Sequence, residues 1–409
     1  MSEPFDYVIV GGGSAGCVLA NRLSADPAVR VCLVEAGPPD RNPFIRVPMG
    51  ILPLVRGWFC NWKFWSEPQA FLHGRRLYQP RGKVLGGSSS INAAVCTRGH
   101  RHDYDHWAES GCEGWSYDEV LPYFRRSETF GAPVTENDRA FHGFEGPLQV
   151  TRRRHDNPVS LAFVEAAQQA GFTANNDFNG AEQEGVGAFH VFQTGGERCS
   201  NARAYLDPVR QRPNLVILTQ AHATRVLFED RRAAGVRVHH RRRYRDLLAT
   251  REVILTAGTF RSPQLLMLSG IGPCAELQRH GIEPLVDLPG VGQNLQDHLD
   301  VFVEVRARSR APLSFQLRDW PRLMRGAWRY LVHRQGEFTS NAAETGGFVR
   351  SRPEEPIPDL QWHFIPAPNG RHGFDLTGVM TRYGYCVMNY DLRPLSRGRV
   401  GLHSADPFA

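Results

Sequence analysis

Residues 5–35 constrain this chain more than any other stretch. Phe5 to Val10 is a short, apolar, β-branched run without alternation, which reads as a buried strand. Gly11-Gly12-Gly13-Ser14-Ala15-Gly16 follows at once and opens a helical stretch through Val18, Leu19 and Leu23. A second apolar run, Val29 to Val34, ends on Glu35. Strand, glycine turn, helix, strand and acid together form the dinucleotide fingerprint in its full setting. Gly11 permits the tight turn, Gly13 lets backbone N–H groups approach a pyrophosphate, and Gly16 lets the helix pack closely on the strand. The phosphates are expected at the helix N-terminus, where unpaired N–H groups favour anions. Glu35, nineteen residues past Gly16, is placed to accept hydrogen bonds from a ribose diol.

Length and charge narrow the class. At 409 residues and 41% hydrophobic content the chain can form two domains with ordinary cores. Eight cysteines without a Cys-x-x-Cys pair fit free thiols in a reducing compartment, with no zinc site or disulfide framework. The start of the chain, Met1 to Asp6, reads without a leader, and no apolar run approaches membrane-spanning length, so a cytoplasmic protein is expected. Net charge is +6, and all but two of the 48 basic residues are arginine. The clusters Arg152-Arg153-Arg154 and Arg241-Arg242-Arg243 fall in separate loop or hairpin-tip positions without interleaved stacking aromatics, so no nucleic-acid partner is expected.

From 38 to 74 periodicity is lost and Trp58, Phe59, Trp62, Phe64 and Trp65 accumulate, which reads as a lid-like excursion over the nucleotide site or an aromatic-stapled surface loop. Arg81-Gly82-Lys83-Val84-Leu85-Gly86-Gly87-Ser88-Ser89-Ser90-Ile91-Asn92 then supplies backbone and hydroxyl donors before a small-residue helical start at Ala93-Ala94, and reads as a second cofactor contact. Asn157 to Ala170 reads as a helix, Leu215 to Leu218 as a strand, and 234–256 as part of a β-meander. Glu252 to Gly258 is a buried strand ending in small residues, followed by a helix from the Ser262-Pro263 pair through Leu268.

Three blocks resemble the glucose–methanol–choline flavoprotein oxidoreductases. The first is Gly82 to Asn92 continuing through Arg98-Gly99 to Asp103-Tyr104-Asp105-x-Trp107, the second Gly258 to Gly272, and the third Gly290 to His298. The resemblance implies an α/β chain, α+β overall. A Rossmann-like FAD-binding domain would be assembled from discontinuous segments, 1–155 and 196–305. A substrate domain with an antiparallel sheet and flanking helices would take 156–195 and 306–409, incomplete at its C-terminal side. It implies an FAD-dependent alcohol dehydrogenase that oxidises a small alcohol to an aldehyde and passes electrons to a quinone or other acceptor. Choline is the alternative substrate; its quaternary ammonium would need an aromatic or anionic cage, to which Trp58–Trp65 could contribute. The expected FAD contacts are Gly11, Gly13, Ser14, Ala15, Gly16, Glu35, Ala36, Arg81, Gly82, Val84, Gly86, Gly87, Ser88, Asn92, Ala93, Val95, Val226, Ala257 and Gly258. Some relatives tether FAD through a histidine at the position of Ile91, so isoleucine there implies non-covalent FAD. Cys96 replaces the family's usual larger residue.

No catalytic residue is assigned. The family's base, a histidine in its C-terminal region, lies beyond the position matching Ala409, and His100, His102, His106, His298 and His363 read as structural. This motivates the alternative of another class, a truncated, catalytically silent flavin-binding protein. A nicotinamide-dependent dehydrogenase would leave the serine loop and later signatures without purpose. Finally, Leu317 to Leu331 is amphipathic, with Leu317, Trp320, Leu323, Met324, Ala327, Trp328 and Leu331 on one face. It suits peripheral contact with anionic lipid, but a helix burying its apolar side in the substrate domain is the simpler expectation.

Overall fold

The structure is a computed structural model that describes residues 3–136, 138–368, 370, 375 and 377–409. Met1 and Ser2, the start of the expected leaderless N-terminus, lie outside these. The elements that position the site are β1 (Phe5–Val10), α1 (Ser14–Leu23), β2 (Val31–Val34), α2 (Pro158–Gln169), β3 (Gly185–Ala188), β4 (Leu215–Leu218), β5 (Ala221–Glu229), β6 (Arg232–His240) and β7 (Arg243–Leu255). They continue with α3 (Gly258–Leu268), β8 (Asp300–Arg306), α4 (Trp320–His333), β9 (Thr345–Val349), β10 (Leu360–Ile365) and β11 (Gly384–Asp391).

The first sheet has six strands in the order β4-β2-β1-β7-β6-β5. Its first four strands are parallel, with Val8 beside Cys32 on one side and Val253 on the other. Strands β7, β6 and β5 form the antiparallel meander. Strand β1 lies between β2 and β7, and its continuous apolar run follows from cover on both faces. Ile9 and Leu33 pack on α1 with Cys17 and Ala20, while Val8, Val10 and Val34 pack with Val236, Val238 and Leu265.

The second sheet has five antiparallel strands in the order β8-β11-β10-β9-β3. Helix α2, capped by the Asn157 side chain on the Val159 amide, covers one face through Phe163 and Ala167 against Trp362 and Val349. The boundary expected between 305 and 306 falls inside β8.

Three local expectations need correction. Helix α3 begins at Gly258, not at Ser262-Pro263, and Pro263 lies within it at the cost of one internal hydrogen bond. Ala93-Ala94 does not start a helix; Gly87–Ser90 forms a short 3-10 turn, and the chain then runs to His100 without regular structure, with Ala94 at a left-handed φ of 52°. Helix α4 turns most of its apolar face to solvent: Trp320, Met324, Trp328 and Leu331 are exposed, and Gly326 and Tyr330 form its buried side. Among the described residues, no helix is long and apolar enough to cross a membrane.

Candidate cofactor site

A cavity of about 330 Å³ opens at the C-terminal ends of β1, β2 and β7, between the N-termini of α1 and α3. The crevice beyond parallel strand ends is where open α/β sheets bind ligands. Its floor is Gly11, Gly13, Ser14 and Ala15, with Glu35 and Ala36 from the end of β2 and Ala257 and Gly258 from the end of β7. No side chain caps α1, so its first amides are left for an anion. The floor depends on missing side chains in two senses. A Cβ on Gly16 would lie 1.9 Å from the Gly11 carbonyl oxygen, so only glycine lets α1 approach β1 this closely. A Cβ on Gly13 would meet nothing nearer than Gly87 Cα at 4.0 Å and would project into open space.

Glu35 is buried, yet both its carboxylate oxygens have amide donors: Gly12 N–H to Oε2 at 2.9 Å and Gly37 N–H to Oε1 at 2.7 Å. Burial raises its pKa to about 7, against the lowering effect of those amides and of Lys83. An acid in this state gains when a ligand brings further hydroxyl donors to it.

The serine loop closes the second wall. Arg81, Gly82, Gly87 and Ser88 line the cavity, and the Gly86 N–H donates to the Gly12 carbonyl at 2.7 Å, fastening loop to floor. The roof comes from the 38–74 excursion: Trp62 and Phe64 stack at 5.8 Å and line the cavity, and Phe64 meets Phe260 edge-on at 5.4 Å. Cations hold this aromatic plate. The Arg261 guanidinium lies 4.0 Å and Lys83 Nζ 4.4 Å from the Trp62 ring centroid, and Arg81 lies 4.8 Å from that of Phe260. Burial lowers the pKa of Arg261 to about 10 and also depresses Lys83. Beside them His222 Nε2–H donates to the Pro407 carbonyl at 3.0 Å, and burial followed by Arg261 and Lys83 lowers its pKa to about 4, so the ring is neutral. His222, Phe260, Arg261 and Pro407 were not expected in the site; Phe260 and Arg261 stand in the second family block, but nothing local marked His222 or Pro407.

Seven expected contacts lie off the cavity wall. Gly16 is spent on helix–strand packing. Val84 is buried with Ile45, Leu54 and Ile91, and Gly86 serves as the loop fastener just described. The Asn92 side-chain oxygen accepts from the Ala94 N–H and from Arg198, and the Ala93 carbonyl accepts from Asn341. Val95 packs against Phe178, Phe189 and Phe348. Val226 sits in the meander core, its N–H bonded to Ser269 Oγ at 2.8 Å.

The aromatic segment is not an open cage for a quaternary ammonium. Trp62 is already faced by Arg261 and Lys83, while Trp58 and Trp65 are solvent-exposed. The histidines are tied into structure. His100 caps the helix Arg101–Glu109, and His102 and His106 stack upon it. His298 and His363 both meet the Tyr390 ring, and burial lowers the pKa of His363 to about 4. Among the described residues no cluster of three or more His, Cys, Asp or Glu could hold a metal ion.

These residues fit a dinucleotide such as FAD. The bare Gly13 Cα and uncapped α1 suit a pyrophosphate, and Glu35 suits a ribose. Ile91 is 3% exposed within an apolar cluster and does not line the cavity.

Comparisons with known proteins agree. Residues 5–300 match the GMC oxidoreductase family, described as "GMC oxidoreductase". The chain is 49% identical over 405 residues to an alcohol dehydrogenase [acceptor] of Pseudomonas putida, covering 98% of this chain and 72% of that one. It is 42% identical over 402 residues to an oxygen-dependent choline dehydrogenase of Brucella anthropi, with the same coverage. Among solved structures it resembles pyridoxine 4-oxidase from Mesorbium loti, with a TM-score of 0.84 at 31% identity, covering 98% of this chain and 74% of that one. It also resembles formate oxidase from Aspergillus oryzae, with a TM-score of 0.89 at 29% identity, covering 100% and 76%. The chain belongs to the GMC oxidoreductases, and its cofactor is FAD.

Proposed function

We propose that this protein oxidises a small alcohol to an aldehyde using non-covalently held FAD, and passes the electrons to a quinone-like acceptor. The observation that carries the proposal is the backbone-floored cavity with Glu35 at the end of β2, in a chain 49% identical to a protein named alcohol dehydrogenase [acceptor]. When bound, FAD accepts the hydride removed from the carbinol carbon. The chain's own work is binding and enclosure. The first amides of α1 hold the pyrophosphate, and Glu35 receives ribose hydroxyls. The Trp62–Phe64 plate keeps water from the nucleotide. Ile91, turned into the core, supports a cofactor without a covalent tether.

Aliphatic or aromatic alcohols lead as substrates. Choline is the second reading, favoured by the 42% identity to choline dehydrogenases and disfavoured by the filled face of Trp62. We place the protein in the cytoplasm, with contact to a membrane at its surface and none to nucleic acid.

The test is direct. Purified protein should be yellow and should bleach on addition of a short alcohol under anaerobic conditions. Acid denaturation should release FAD into the supernatant. Flavin that stays with the precipitate would overturn non-covalent binding, and bleaching by choline alone would transfer the assignment to the second reading.

A further inference from the structure

We propose that the exposed face of α4 docks the protein on an anionic lipid surface, an inference that rests on the reading of a quinone-like acceptor above. Leu317, Trp320, Met324, Trp328, Leu331 and Val332 form one stripe at helical spacing, and each is more than half exposed; Leu317 is 82% and Leu331 71% exposed. A stripe of this kind on a folded surface marks an interaction site.

Charge identifies the partner. Arg318, Arg325, Arg329 and His333 are all exposed along the helix and the turn before it. The one acid between Leu317 and Arg334 is Asp319, which is 3% exposed and paired with Arg310 and the Tyr383 hydroxyl. Apolar side chains with two tryptophans, bordered by arginines and free of exposed carboxylates, suit a helix lying in the interface of an anionic bilayer. A second copy packed about a two-fold axis would set this arginine border against itself, which like-charge repulsion disfavours.

The position also suits docking. Gly326 lies against the Phe338 ring, and Phe338 joins Met49, Val47 and Leu52 of the excursion in one apolar cluster. The buried side of α4 thus packs, through Phe338, on the base of the excursion whose Trp62 and Phe64 roof the cavity, and leaves the opposite, apolar side free for a bilayer.

FAD-loaded protein should be mixed with vesicles of phosphatidylcholine alone and of phosphatidylcholine with phosphatidylglycerol, then sedimented. Binding is expected to the anionic vesicles and to fall with added salt. Trp320→Ser with Trp328→Ser should weaken it by about tenfold or more. Arg325→Glu with Arg329→Glu should weaken it by about 20-fold or more on anionic vesicles only. Leu395→Ser, at a side chain 94% exposed elsewhere, should leave it unchanged. Flavin content and melting temperature should persist in every variant, which separates failed docking from a failed fold. Equal binding to both vesicle types, or a tryptophan pair variant that binds like the parent, would overturn the proposal. So would a concentration-dependent dimer that the tryptophan changes abolish.

Discussion

The cofactor cavity has a floor of backbone and a roof of side chains, and the two obey different rules. On the floor, a Cβ on Gly16 would strike the Gly11 carbonyl and one on Gly87 would lie 2.7 Å from Gly13 Cα, so there is no flexible group to move aside. In the roof, Trp62, Phe64, Arg261 and Lys83 are held by stacking and cation–π contacts, each worth on the order of 1 kcal/mol and able to adjust. A change to the floor should act as a switch and a change to the roof as a dial.

The largest effect should come from Gly16→Val, which forces a methine carbon to within 1.9 Å of a backbone oxygen. We expect a loss of more than about 4 kcal/mol and no soluble flavoprotein. A normal melting temperature for this variant would remove the contrast at its base. Gly13→Val should instead fold, because its Cβ enters open space, yet lose FAD affinity by about 1,000-fold, near 4 kcal/mol. Equilibrium dialysis of refolded apoprotein checks the affinity, and circular dichroism checks the fold.

Glu35 sharpens the comparison through pH. Its carboxyl has an ordinary value of 4.5 and a folded value of about 7, so the protonated form is favoured by folding. Stability of the apoprotein should therefore decline as pH rises from about 4.5 to 7 and level off above, by about 3 kcal/mol in all. Glu35→Gln should flatten that slope in denaturant titrations. FAD affinity of the parent should rise through the same window, as ribose hydroxyls meet the ionised form, and Glu35→Ala should lower it by about 1.5–3 kcal/mol at neutral pH. The smallest effect belongs to the roof. Trp62→Ala should weaken FAD retention by about 1 kcal/mol, roughly fivefold, and leave the melting temperature nearly unchanged. A complete loss of flavin in this variant would erase the distinction between switch and dial.

The same division explains what could be read in advance. The floor is local: Phe5 to Glu35 supply strand, turn, helix and acid within one short stretch, and each glycine has a stereochemical reason. The roof draws on Trp62, His222, Phe260 and Pro407, and the bond between His222 and Pro407 spans 185 residues without a pattern to announce it. Val226, expected at the cofactor, sits in the meander core off the cavity wall, and a strand inside a meander reads the same in sequence whether it faces a ligand or a core. Ser262-Pro263 imitates a helix start, while α3 begins at Gly258, where the chain leaves β7 at the cavity. For α4, periodicity revealed that an apolar face exists but carried no information about what covers it.

The Pro407 carbonyl, which receives His222 and approaches Arg261, has a consequence for biosynthesis. The glycine turn leaves the ribosome early, but β1 pairs with a strand more than 230 residues downstream, and Pro407 borders the same cavity. A nascent chain therefore carries an unfinished nucleotide pocket until residue 407 has been made. Cofactor loading belongs after that point, and apolar β1 must meanwhile be kept from pairing elsewhere, a natural duty for a chaperone.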